Sequence, residues 1–282
     1  PWAMAVGAML SVQLGSALSL PLIGEVGAAG TALLRLTAGA LIFIAIARPP
    51  LRQIAAGDLP ALAALGVTTG LMTIMFLAAI EHIPLGTSVA IEFLGPLSVA
   101  AARSHTRRAL LWPALALIGV LLLTQPWRGE IELLGIGFAI GSAVCWALYI
   151  LLTQHVGERF TGTRALSITM PISAATAAIA GVPQAVGHLD ARIIVAAVGL
   201  AVLLPVLPFA LEMAALRRMT PTAFGTFMAL EPAIGETLGL VVLHQTPSAL
   251  QVTGIALVVV AGAAAQRDDR PGSTLAEQPG IA

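Results

Sequence analysis

The chain has 282 residues, 58% of them hydrophobic and only 10% charged, with 14 basic residues against 14 acidic ones and a mean hydropathy of +0.95. A water-soluble domain covers its surface with roughly 25% charged residues, so most of this surface faces lipid. A net charge of zero argues against nucleic-acid binding, which needs a basic patch to displace counterions. The single cysteine, Cys145, excludes an internal disulfide and a thiolate metal cluster.

Breaks at charges, prolines and glycines divide the sequence into ten apolar stretches. Each approaches the about 20 residues that a helix needs to cross a hydrocarbon core about 30 Å thick. The first three are 3–22, which carries Gln13, Ser16 and Ser19, then 29–47 with Arg35, and 59–80. Next come 84–102 with Glu92 and Pro96, 109–125, and 133–154 with Trp146, Tyr149 and Gln154. The last four are 164–184, 192–216 with Pro205, Pro208 and Glu212, 221–243 with Glu231, Pro232 and Glu236, and 248–266. Ten such helices consume nearly the whole chain, which leaves no room for a soluble catalytic or nucleotide-binding domain.

The basic residues are all arginines, and their placement sets the expected topology. With a cytoplasmic N-terminus, the inner connections and tail hold Arg48, Arg52, Arg103, Arg107, Arg108, Arg159, Arg164, Arg217, Arg218, Arg267 and Arg270. The outer connections hold Arg128 and Arg192, and Arg35 falls inside a helix. This bias follows the positive-inside rule and predicts ten spans with both termini cytoplasmic. Residues 267–282 are polar, and are expected to form a disordered cytoplasmic tail.

The chain also resembles itself. Ile23-Gly24-Glu25 is matched by Val156-Gly157-Glu158, and Pro96 near Glu92 by Pro232 beside Glu231. Chance similarity between apolar helices accounts for part of such a match. Read as a repeat, it gives a five-helix unit over 1–126 and a second over 127–266. Because five is odd, the second unit enters the membrane from the opposite side. The expected fold is thus an all-α membrane protein of ten transmembrane helices in two inverted five-helix repeats, an arrangement characteristic of transporters.

Five charges lie inside the expected helices: Arg35, Glu92, Glu212, Glu231 and Glu236. At about 2.5–3.5 kcal/mol each, exposing all of them to lipid would cost on the order of 12–17 kcal/mol, so they must face one another or a wet cavity. At 1.5 Å per residue, Glu92 lies about 12 Å below the outer end of its helix, Glu231 about 15 Å above the inner end of its own, and Arg35 about 9 Å in from outside. Arg35 could pair with Glu92 if the second and fourth helices are neighbours, and a buried ion pair that locks helices together is the structural alternative to a transport site. One arginine cannot neutralise several carboxylates, however, so at least one is protonated or awaits a cation. Pro96 frees the Glu92 carbonyl and Pro232 the Met228 carbonyl, and freed backbone at that depth is tolerated where it lines a cavity. Pro205 and Pro208 are expected to break the eighth helix in the same way, although proline is also common in membrane helices without such a role.

Gln13, Trp146 and Tyr149 are further site candidates, able either to bind a substrate or simply to bond a neighbouring helix. Glu236 fits a gate better than a central site. Gly66/Gly70, Gly137/Gly141 and Gly235/Gly239 have the spacing that lets helices approach closely. The five histidines fall singly at connections, without metal-site spacing. No phosphate-binding loop, zinc-protease motif or nucleophile elbow occurs, so neither an enzyme nor a cofactor is expected. A channel is the remaining physical alternative, but channels usually build their pores from several subunits or from backbone filters.

Several runs carry a family resemblance: Gly30-Thr-Ala-Leu-Leu-Arg35, Pro84 through Pro96 around Glu92, Cys145-Trp146-Ala-Leu-Tyr149-Ile, Leu207-Pro208-Phe-Ala-Leu-Glu212-Met, and Phe224 through Pro232 around Glu231. In these the chain resembles the threonine/homoserine exporters (RhtA type), of the EamA group in the drug/metabolite transporter superfamily. The resemblance implies a multi-pass carrier in the bacterial inner membrane that exports small amino acids in exchange for protons, with a homodimer left open as its oligomeric state. By position, Arg35, Glu92, Glu212 and Glu231 match that family's intramembrane charges. A lysine often found in the first helix of relatives has no counterpart in this lysine-free chain. In this reading Arg35 holds the substrate carboxylate, and Glu92 or Glu231 alternates between the ammonium group and a proton. The same fold could instead export another metabolite or a drug-like cation.

Overall fold

A computed structural model describes residues 2–47, 54–103, 110–125, 132–157, 160, 163–218, 224 and 227–268. All regular structure among the described residues is helical. The helices are α1 (Trp2–Ala17), α2 (Leu20–Ala47), α3 (Leu59–His82), α4 (Leu85–Glu92), α5 (Leu94–Arg103) and α6 (Leu111–Thr124). After these come α7 (Leu133–Gly157), α8 (Thr163–Ala185), α9 (Ala191–Ala201), α10 (Leu207–Leu216), α11 (Glu231–Leu243) and α12 (Ala249–Asp268). Two pairs, α4 with α5 and α9 with α10, are broken halves of longer helices, so the described helices follow the ten expected apolar stretches. Arg48, Arg52, Arg107, Arg108, Arg128, Glu158, Arg159, Arg270 and the tail from 269 onward lie outside the described residues, as do 221–223 of the ninth stretch.

Six helical stretches are long and apolar enough to cross a membrane: 20–47, 59–82, 85–103, 133–157, 163–185 and 191–216. Their outward side chains are apolar, as expected for contact with lipid tails; Ile179 is 82% exposed and Val195 71%. The first boundary differs from the sequence reading. Helical hydrogen bonding loosens at Leu18 and Ser19, yet Leu18 N still bonds Leu14 O and Ile23 N bonds Ser19 O. The chain turns at Gly27, whose φ of 73° and ψ of 167° lie outside the helical region; a side chain there would be strained and would collide with Gln184. The first stretch therefore continues to Val26. At the other end α12 runs to Asp268, two residues into the expected tail.

Packing follows the small residues. α3 lies against α8 through Gly66 and Gly70, where a Cβ would come within 2.9 Å of the Thr169 carbonyl oxygen and 2.8 Å of that of Ser173. Ser173 Oγ uses this closeness to donate to Gly66 O at 2.8 Å. Gly235 packs on Val89, joining α11 to α4. A Cβ on Gly137, by contrast, would meet nothing within 4 Å, so its spacing with Gly141 marks no two-glycine contact.

Hydrogen bonds between connections sort the helix ends into two groups. At one end Gln184 Oε1 accepts from the backbone of Ala29 and Gly30, at 2.9 and 3.1 Å. At this end too, Gln245 Oε1 accepts from Leu85 N at 3.1 Å, and Gln125 Nε2 donates to Ser248 Oγ at 2.8 Å. Arg192 and Glu25 pair here at 3.4 Å. Leu62 and Leu65 pack with Val156 and Phe160 at the opposite end, where α7 gives way to α8. The successive connections thus alternate between two faces of one bundle.

Candidate functional site

A cavity of about 420 Å³ occupies the middle of the bundle. Its lining includes all seven residues singled out from the sequence: Gln13 from α1, Arg35 from α2, Glu92 from α4, Trp146 and Tyr149 from α7, Glu212 from α10 and Glu231 from α11. It extends to Val156, Gly157 and Phe160 at the α7–α8 end. Gln154 and Glu236 do not line it.

Broken helices deliver the carboxylates. α4 stops at Glu92, where Pro96 one turn later has no N–H to offer the Glu92 carbonyl. Phe93 N still reaches Val89 O at 2.9 Å, and Leu97 N reaches Phe93 O at 3.4 Å, so α5 restarts almost at once. Gly95 brings α5 so close to α7 that a Cβ would clash with the Ala143 carbonyl oxygen. This approach sets Glu92 beside Ser142, whose Oγ donates to Glu92 Oε1. Glu231 is the first residue of α11, with Pro232 behind it, and is 6% exposed.

The eighth stretch breaks where Pro205 and Pro208 suggested. Val202–Val206 forms a π-turn in which Leu204 is extended and the Leu207 N–H bonds Val202 O, five residues back. That register leaves the Leu203 carbonyl without an α-helical partner, and Ser11 Oγ of α1 supplies one at 2.6 Å. Leu204, Pro205 and Pro208 then line the cavity, with Phe209 and Glu212 below them on α10.

The expected pairing of Arg35 with Glu92 does not form. α2 packs on α8, α3 and α9, whereas α4 packs on α7 and α11. Arg35, 4% exposed, reaches Ser19 Oγ at 3.5 Å. No ion pair within 4 Å joins it to a carboxylate among the described residues. Gln13 Nε2 donates instead to Glu231 Oε1 at 3.3 Å. Gln13 Oε1 and Glu231 Oε2, both buried in the same wall, have no hydrogen-bond partner among the described residues.

Sequence reading missed several residues on this surface. Thr69 and Thr73 of α3 and Thr169 of α8 line the cavity and donate their hydroxyl protons to their own helices, so their hydroxyls can serve there only as acceptors. Ser142, which bonds Glu92 without itself lining the cavity, was legible through periodicity: 142, 146 and 149 fall at i, i+4 and i+7 on one face of α7. Trp146 is steadied by an edge-to-face contact with Phe93, with ring centroids 6.2 Å apart.

A helical membrane bundle that points an arginine, three glutamates and a glutamine into one central cavity, two of the glutamates from broken helices, has the make-up of a carrier. This chain belongs to the EamA-like transporter family, whose model matches residues 133–264. It is 35% identical over 261 residues to the threonine/homoserine exporter RhtA of Salmonella typhimurium strain SL1344, covering 90% of this chain and 87% of that one. It is 34% identical over 263 residues to RhtA of Escherichia coli K12, at 90% and 87% coverage. A solved crystal structure aligns over 98% of this chain and 99% of its own, with a TM-score of 0.60 and 19% identity, a likeness of fold alone.

Proposed function

We propose that this protein is a secondary active transporter, not an enzyme. It exports small amino acids of the threonine/homoserine kind across the bacterial inner membrane, in exchange for protons, by alternating access to its central cavity. The observation that carries this reading is the unpaired charge. One guanidinium and three carboxylates line a single cavity with no ion pair between the guanidinium and any of the three.

A zwitterion entering a low-dielectric cavity must have both of its charges answered. Arg35 takes the carboxylate. Glu231 Oε2 and Gln13 Oε1, both without partners among the described residues, accept from the ammonium group. Without substrate, several close carboxylates cannot all stay ionised in low dielectric, so Glu92 or Glu231 binds a proton in its place. Competition at one carboxylate makes the exchange obligatory. The names of the relatives support the substrate class, and a family model that spans the five helical stretches from α7 to α12 supports two five-helix units. A cavity that reaches the α7–α8 end, with glutamine clamps across the other end, supports an inward-facing state with both termini cytoplasmic.

In proteoliposomes, Glu92→Gln is expected to abolish amino-acid-driven proton uptake. Undiminished uptake in that variant overturns the role of Glu92. The excess of carboxylates over guanidinium also suits a cationic solute, and Arg35→Gln separates the two readings. Loss of transport favours the zwitterion, whereas retained transport favours a cation.

A further inference from the structure

Ser142 sits at the meeting point of three helices and is fully buried. Its Oγ lies 3.2 Å from the Met72 carbonyl oxygen of α3 and in hydrogen-bond contact with Glu92 Oε1 of α4. A hydroxyl has one hydrogen to give, whereas a carbonyl oxygen and an ionised carboxylate both only accept. Ser142 therefore cannot satisfy both neighbours while Glu92 is ionised. Protonating Glu92 removes the conflict, because its O–H then donates to Ser142 Oγ and the serine hydrogen is free to turn to Met72 O.

We propose that Ser142 is the positioning residue that converts the protonation of Glu92 into a hydrogen bond between α7 and α3. In the protonated state a continuous chain runs from Glu92 through Ser142 to Met72, tying α4, α7 and α3 together. When Glu92 releases its proton, the serine hydrogen swings to the carboxylate and the α7–α3 link is lost. Met72 lies on the cavity wall beside Thr69 and Thr73, while Trp146 and Tyr149 occupy the Ser142 face of α7. The switch thus acts on two walls of the cavity, and it rests on the reading that Glu92 exchanges its proton during transport.

Other titratable groups lie near Glu92. Glu231 of α11 and Cys145 of α7 lie within its electrostatic reach, and Glu212 of α10 acts on Glu231. Tyr149 of α7 and Arg35 of α2 share the cavity. The titratable residues of α3, Glu81 and His82, lie at its far end, and α6 and the described side chains of α12 have none. Ser142 alone among the described residues bonds Glu92 and a second helix together.

The test uses the purified full chain in proteoliposomes, with threonine and homoserine as probes. Ser142→Ala is expected to keep substrate affinity within about twofold while exchange loses at least threefold of its dependence on pH, and Ser142→Thr, which restores the hydroxyl, is expected to recover it. Amide hydrogen exchange on the wild-type protein needs no variant. After correction for intrinsic rates, the segment around Met72 should become more protected on acidification, and in Glu92→Gln it should be protected at every pH. A Ser142→Ala protein with a wild-type pH profile, or protection around Met72 that ignores pH, overturns the proposal. If Glu92→Gln leaves proton coupling intact, the role of Glu92 fails. If it uncouples while Ser142→Ala behaves as wild type, the role of Ser142 fails alone.

Discussion

The bond from Gln13 Nε2 to Glu231 Oε1 joins the first helix to the ninth stretch across 218 residues of sequence, and leaves one oxygen on each side chain without a partner among the described residues. Gln13→Leu keeps much of the side-chain volume but removes both the donor and the free acceptor. A hydrogen bond to a charged group contributes about 1.5–3 kcal/mol, so the expected outcome is a rise of roughly tenfold or more in the KM for export. The unfolding midpoint in detergent should fall as well, because Glu231 Oε1 loses its buried donor and the leucine restores only the packing. A KM unchanged in Gln13→Leu would remove Gln13 from the substrate site. Much at this scale was legible in the sequence, because an ionisable or amide side chain is costly in a lipid-facing helix and therefore points inward. The partners were not legible. Nothing in the order of residues says that Glu231 meets Gln13 while Arg35 turns to Ser19; those pairings follow from which helices are neighbours.

Helix neighbours are selected by shape, and that information is spread thinly along the chain. Gly66 and Gly70 are visible as a four-residue spacing, but the same spacing at Gly137 and Gly141 marks no two-glycine contact. What distinguishes them is the opposing surface, where α8 presents Thr169, Ile172 and Ser173 to Gly66 and Gly70. Gly66→Ala would put a Cβ 2.6 Å from that of Ile172 and 2.9 Å from the Thr169 carbonyl, and overpacking of this kind costs about 1–3 kcal/mol. A lowered unfolding midpoint in detergent is expected. Gly24→Ala, with nothing within 4 Å of its Cβ, is the control and should leave the midpoint unchanged or slightly raised, since alanine is the better helix former. Equal effects would mean that the α3–α8 contact is not limited by backbone approach. The breaks in the fourth and eighth stretches were legible from proline, which has a fixed local effect. Their repair was not, because Ser11 completes the Leu203 carbonyl from a different helix.

Across the whole molecule, the scarcity of charge has two consequences. Charge-poor outer faces leave the bundle to lipid, and four of the five intramembrane charges converge on one cavity with an asymmetric reach. The wall runs down to Thr153, Gly157 and Phe160 at the α7–α8 end, and Gln184 and Gln245 bond backbone N–H groups at the opposite end. On the topology proposed from the arginines the α7–α8 end is cytoplasmic, so the cavity is expected to admit solutes from that side. Cys145, the one cysteine, can be replaced by serine to give a background in which each new thiol reports alone. Thr153→Cys in that background is expected to react with a membrane-impermeant maleimide in inside-out vesicles and not in intact spheroplasts. His188→Cys, in the turn after α8 at the opposite end, should show the reverse. Saturating threonine or homoserine should slow the reaction at Thr153→Cys if the solute enters by this mouth, and an imposed proton gradient should change its rate if the cavity alternates between the two sides. Labelling of Thr153→Cys from the spheroplast side alone would reverse the topology drawn from the arginines. Labelling from both sides at once would replace alternating access with an open pore.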